Sequence, residues 1–230
     1  MRRLLPALSL AMACAPRAPQ VGAAGARSVA PTGPEIRTVG EGWTVYTDGT
    51  FGMAFPSDWQ PLPPSGPARF VALGNGIGLP AEDEHGDPLQ VGLAVEAWPG
   101  PWADLDAFLA EVVTGVEHDP AIEQLHRLTT YDTAICGTWP ARMAIFEFDK
   151  AGSDRRSQYL KLVALDRAQQ GWIALGWSVA GRDSALVKGD GLMVRNLEPW
   201  LRSFCPEVDR VDLRALQQMR DHPAADAPPP

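Results

Sequence analysis

Three cysteines carry the first candidate chemistry. Cys14 follows Arg2, Arg3 and an apolar run from Leu4 to Ala13, with the small residues Ala11 and Ala13 just ahead of it. Positive charge, a short apolar run and small residues at a cleavage point are the parts of a secretory signal. The run is about ten residues, well short of the roughly 20 needed to cross a bilayer. A thiol directly after such a signal is where a lipoprotein takes its diacylglycerol, so Cys14 is the lipidation candidate. Ordinary secretion with an incidental cysteine is the other reading, because Ala11 and Met12 depart from the preferred lipoprotein pattern. Cys136 and Cys205 remain, and an even pair in an oxidising compartment predicts a disulfide. The alternative is two buried free thiols. Two isolated cysteines lack the close ligand spacing of a zinc site.

Beyond sulfur the chemistry thins out. Glu82, Asp83, Glu84, His85 and Asp87 form the densest acidic cluster. Hard oxygen ligands around a glycine are calcium chemistry, so Glu82, Asp83 and Asp87 are the metal candidates. Their spacing is not that of an EF-hand, and a solvated acidic loop is the plainer reading. His85, His118 and His126 are the histidines from which a general base would come. His118-Asp119 falls at a helix end, where a protonated imidazole meets a favourable dipole. There is no Gly-x-Ser-x-Gly, His-Glu-x-x-His, Walker or Cys-x-x-Cys pattern. No catalytic residue and no cofactor is assigned. Eight tryptophans stand against three tyrosines. Trp59, Trp98, Trp102, Trp139 and Trp172 lie at element ends or on the weaker sheet face. Gathered together they would make an aromatic floor for a glycan or solute; apart, they plug the ends of the fold.

The elements that would position these residues are readable from periodicity. Trp43 to Thr47 and Phe51 to Phe55 flank Asp48-Gly49-Thr50 as a hairpin. Arg69 to Leu73 is a third strand, followed by a glycine- and acid-rich loop from Gly74 to Pro88. Leu89, Val91, Leu93 and Val95 alternate with Gln90, Gly92, Ala94 and Glu96, a strand with one buried face. Pro101 marks a helix start, and Trp102, Leu105, Phe108, Leu109, Val112, Val113 and Val116 recur at helical steps. Four strands follow, Leu128 to Cys136, Ala141 to Phe148, Gln158 to Leu165 and Trp172 to Val179. Their links are too short for parallel crossovers, so the neighbours are antiparallel. Asp183 to Phe204 reads as an interrupted helical segment, weakened by Gly189 and Gly191, with Pro199 in the first turn of a helix capped by Asn196. Val208 to Arg220 reads as a short surface helix, and Asp221 to Pro230 as disordered.

Domain organisation follows. Residues 1–13 are a signal peptide and 14–36 an Ala-, Pro- and Gly-rich flexible linker. Residues 37–205 form one α+β domain, and 206–230 a C-terminal extension. Roughly 170 residues is enough chain to bury a core. A net charge of −8 and a pI near 5.0 argue against nucleic acid as a partner and against attraction to anionic headgroups. Membrane association would run through the lipid anchor only.

Several landmarks in order resemble the PsbP family, named for an extrinsic protein of photosystem II and including small bacterial lipoproteins. They are Phe51-Gly52-Met53-Ala54-Phe55-Pro56-Ser57-Asp58-Trp59, the helix from Ala103 to Val116, Gly137-Thr138-Trp139-Pro140-Ala141-Arg142, and Leu201-Arg202-Ser203-Phe204. The resemblance spans roughly residues 39 to 204. It implies an antiparallel β-sheet flanked by helices in an α-β-α sandwich, working by binding partners and supplying no catalytic residues. The expected function is a non-catalytic envelope lipoprotein that binds an envelope protein or assists a complex. A solute- or glycan-binding module with a tryptophan-lined pocket is the alternative, and an enzyme the least favoured.

Overall fold

The computed structural model describes residues 34–39, 42–74, 81–189, 192–206 and 211–221. Cys14, the signal segment, most of the linker and the last nine residues lie outside them. Turn chemistry and alternation build two antiparallel sheets. The first holds β1 (Glu35–Thr38), β2 (Trp43–Thr47) and β3 (Gly52–Pro56) in that order. Asp48 closes the β2–β3 turn by accepting from the Thr50 and Phe51 amides at 2.8 and 3.3 Å, while Gly49 supplies the positive φ.

The second sheet holds β4 (Gln60–Leu62), β5 (Ala68–Gly74), β6 (Gln90–Trp98), β7 (Ile122–Ile135), β8 (Trp139–Lys150), β9 (Arg155–Leu165) and β10 (Gly171–Gly181). Its spatial order is β4-β5-β6-β10-β9-β8-β7. The four consecutive strands expected from sequence are therefore a meander, closed onto β6 by β10. Three α-helices complete the described residues: α1 (Leu105–Glu117), α2 (Leu192–Arg202) and α3 (Arg214–Asp221).

The two faces of the large sheet are covered differently. On one, Val45, Met53 and Phe55 of the small sheet and Leu197, Trp200 and Leu201 of α2 bury Leu160, Leu162, Trp172 and Ala174; Leu216 of α3 joins the same core. On the other, α1 lies alone, with Phe108 and Val112 over Ala94, Val163 and Ile173, and Val116 over Ala144, Phe146 and Phe148. Glycine lets the helices come close. A Cβ at Gly171 would stand 2.5 Å from Phe108 Cζ, and one at Gly176 3.4 Å from Leu197.

This corrects the expected α-β-α sandwich. About half of the described residues are strand and 17% helix, so the fold is β-rich. The physical reason is the hairpin of β2 and β3. Its burial runs through all of β3, so it packs face-on as a separate sheet and takes the place a helical layer would need. Two local expectations also shift. α1 is capped by Asp104, whose Oδ1 accepts from the Ala107 amide at 2.8 Å, and Pro101 lies ahead of it. α2 begins at Leu192 and carries Pro199 within it, so Asn196 is not its cap. β1 and the three-residue β4 were not expected.

Candidate functional site: an open sheet edge and the groove beside it

The ends of the large sheet are treated in opposite ways. β4 is three residues long, contains Pro61 and runs directly into Pro63 and Pro64. Shortness and proline are the usual means of blunting an edge. β7 is 14 residues long, pairs among the described residues with β8 alone, and contains neither proline nor lysine. Its first half is irregular, with register shifts between Ile122 and Gln124 and between Leu125 and Arg127. From Leu128 to Ile135 it pairs with β8 without a break. Leu128 is 38% exposed, and Asp132 points to solvent, held by Arg142, which also reaches Asp106 at the start of α1 at 2.9 Å.

Beside β7 lies a groove of about 570 Å³, bounded by Arg127, Thr129 and Tyr131 of β7, Ile145 of β8, and Val194, Arg195 and Glu198 of α2. A β7 edge offering backbone groups, with side-chain pockets at alternate positions, has the chemistry to take an extended peptide.

A dense ionic knot closes the lower end of the groove face. Asp149 and Glu147 of β8 are both buried. Arg156 of β9 donates to Asp149 Oδ1 at 2.8 Å and to Glu147 Oε1 at 3.3 Å. Burial works against the charge on Asp149, but Arg156 and His126 hydrogen-bonded to it more than offset this, holding the carboxyl below its usual range. His126 Nε2 lies 3.0 Å from Asp149 Oδ2 and 2.9 Å from Arg156 Nη2. One nitrogen can serve only one of them at a time, accepting from the guanidinium or donating to the carboxylate. Glu147 and Gln158 then hold Gly189, through its N–H at 2.9 Å and its carbonyl at 2.7 Å. The knot thereby fixes the chain running into α2.

The residues singled out by sequence scatter around this site. Cys136 and Cys205 form the disulfide, with Cα atoms 5.6 Å apart, tying the β7–β8 turn to the end of α2. Trp59 and Trp172 are buried in the core under the small sheet, and Trp139 packs against it, donating to the Leu165 carbonyl at 2.8 Å. Trp98 and Trp102 sit on the opposite face against Phe108. The five tryptophans therefore do not share one floor.

Among the metal candidates, Asp83 is buried and Glu82 and Asp87 are exposed. Both oxygens of Asp83 serve the backbone, Oδ1 accepting from His85 and Asp87 and Oδ2 from Gly181, each at 2.9 Å. Burial would raise its pKa, but these donors win and lower it. Glu84 accepts from Ser184 and Ala185, so the acidic loop is a clasp onto the end of β10. No group of three or more ligands placed to hold a metal ion occurs among the described residues. His118 caps α1, as its position suggested, with Nδ1 2.9 Å from the Thr114 carbonyl.

Sequence reading missed the knot, because its members come from three strands at spacings that no motif describes. It also missed Lys161 on the α1 face, where burial lowers the pKa and Glu96 and Asp119 oppose the shift. Its strand neighbour Tyr159 is pushed up to about 12 by burial, with Asp119 and Glu96 adding to it.

No helix among the described residues is long and apolar enough to cross a membrane. No protein-family model and no curated protein matches the sequence; the PsbP resemblance gains no support there. Among solved structures the chain is similar to LpqN of Mycobacterium tuberculosis, involved in cell envelope biogenesis. That match is 15% identical, covers 67% of this chain and 81% of that one, and has a TM-score of 0.42. It is also similar to PA94 of Pseudomonas aeruginosa, a putative regulator of unknown function. There the identity is 16%, the coverage 63% and 82%, and the TM-score 0.29. Both likenesses are slight, and neither fixes a family or a function.

Proposed function

We propose that this chain is an exported, envelope-held domain that works by docking a protein partner on β7 and its groove, and not by catalysis. The observation that carries the reading is the contrast between a β4 edge sealed by prolines and a β7 edge left regular and open over Leu128 to Ile135. Export is supported by the Arg2 to Cys14 pattern and by the Cys136–Cys205 disulfide, which belongs to an oxidising compartment. The most catalysis-like contact, His126 with Asp149, is shared with Arg156 and serves the knot that anchors α2.

The test is a crosslinked pull-down of the tagged protein from its native envelope, run beside a Leu128→Lys variant. A charge on this exposed edge position repels an added strand at little cost to the fold. A stoichiometric envelope protein lost in the variant supports the reading. A partner retained in full by the variant places docking elsewhere.

A further inference from the structure

We infer that Leu128–Ile135 of β7 is the seam of a two-fold dimer, pairing antiparallel with the same segment of a second copy and joining two seven-stranded sheets into one. The inference rests on the reading of β7 as the working edge and names its occupant.

The argument starts from what the edge can accept. A free strand edge offers alternating backbone donors and acceptors, so its natural occupant is another extended backbone. The segment itself is rich in strand formers: Thr129, Thr130, Tyr131, Thr133 and Ile135. The charges of β7 are concentrated elsewhere. Glu123, His126 and Arg127 all lie in or beside the bulged half, where register shifts twist the edge away. The regular half carries a single charge, Asp132.

Self-pairing is where this pattern fits best. In an antiparallel two-fold seam, residues equally far from the centre face each other. Centred on Thr130, Asp132 faces Leu128 and Thr129 faces Tyr131. Centred on Tyr131, Asp132 faces Thr130 and Thr129 faces Thr133. Neither register sets a carboxylate against itself, and both bring hydroxyl and aromatic side chains together, the favourable pairs of a sheet. Asp132 is already held by Arg142 within its own chain, so its charge enters the seam compensated.

The sealed β4 edge then decides stoichiometry. Among the described residues β7 is the edge of the large sheet left to pair, so association through that sheet closes at two copies.

The experiment uses the full chain carrying Cys14→Ala, so that no lipid or stray thiol is present. Mass in solution is measured by light scattering up to ~100 µM, a range that detects even weak self-association. Single-cysteine variants Thr129→Cys, Thr130→Cys, Tyr131→Cys and Asp132→Cys are oxidised in parallel. A residue on the axis faces its own copy, so Thr130→Cys or Tyr131→Cys gives covalent dimer fastest.

Thr130→Lys sets like charges at the seam and weakens the dimer by more than about tenfold, with the melting temperature of the dissociated chain unchanged. A monomer at every concentration, with no crosslink at any of the four positions, overturns the inference. If the chain is monomeric but Leu128→Lys still loses the envelope partner, self-pairing falls and the docking reading stands. A dimer whose loss leaves the pull-down unaltered upholds the seam and removes the docking reading.

Discussion

Breaking the Cys136–Cys205 bond by reduction removes a covalent tie without changing any residue. The bond closes a loop with a sequence separation of 69 that includes β8, β9, β10 and α2. In the chain-entropy treatment a loop of that length stabilises by about 4 kcal/mol, through the freedom it denies the unfolded chain. For a domain of roughly 170 residues, with an unfolding entropy of about 2.1 cal/mol/K per residue, that corresponds to a fall in Tm of roughly 10 °C. Folded-state contacts at the junction do not depend on the bond. The Cys205 amide and carbonyl pair with Gly52 of β3 at 2.9 and 3.0 Å whether or not sulfur is oxidised. The reduced protein is therefore expected to keep its far-UV circular dichroism at 25 °C while melting earlier. The assay is a thermal melt of oxidised and fully reduced protein, with thiol content confirmed by mass. A Tm difference under ~3 °C would refute the entropic reasoning, and loss of secondary structure at 25 °C would mean that the bond holds the folded state directly.

Other perturbations probe the clasp, the helix seat and the knot. Asp83→Ala strands the Gly181 amide and unties the 83–87 loop, and should cost about 3 kcal/mol by denaturant titration, the scale of lost bonds to a charged acceptor. Because the folded pKa of Asp83 is lowered, its contribution is present above the unfolded carboxylate range and fades as pH falls through the folded value, so wild type and variant converge in acid. Gly171→Ala drives a methyl into the buried Phe108 ring and should cost about 2 kcal/mol; in Phe108→Leu/Gly171→Ala the two costs should sum to less than additive. Arg156→Met removes the cation that the buried Asp149 and Glu147 share and should cost about 3–5 kcal/mol near neutral pH. In that variant Asp149 loses the Arg156 guanidinium that offsets its burial, so its pKa rises and the deficit should shrink as pH falls; a deficit independent of pH would show that the ionic knot is not its source.

Much of the framework was legible because it depends on local periodicity. α1 announces itself by apolar residues at three- and four-residue steps, and the meander by strands with links too short for crossovers. The disulfide followed from an even cysteine count and a compartment argument. What could not be read was which element covers which face. The Trp43–Phe55 hairpin looks the same in sequence whether it extends the large sheet or packs on it as a second one, and that ambiguity turned a β-rich fold into an expected sandwich. The knot was hidden for a related reason. His126, Glu147, Asp149 and Arg156 acquire meaning only when the β7–β8 and β8–β9 registers bring them level. Glu82 to Asp87 misled in the opposite sense, since an acidic cluster looks the same in sequence whether it binds a cation or, as Asp83 does, backbone amides.

The small sheet also decides how the domain would answer a mechanical load. A pull applied ahead of Glu35 reaches the fold first at β1, an exposed strand that among the described residues pairs with β2 alone. Antiparallel pairing loaded from that end opens like a zipper, one rung at a time, starting from Glu35 opposite Thr47. Peeling would halt at β3, because Gly52 is stitched to Cys205 and Cys205 is bonded to the β7–β8 turn. Release of β1, residues 35–38, thus pays out roughly 13 Å of chain at ~3.3 Å per residue while the large sheet and its β7 edge stay intact, a built-in strain relief at the start of the domain.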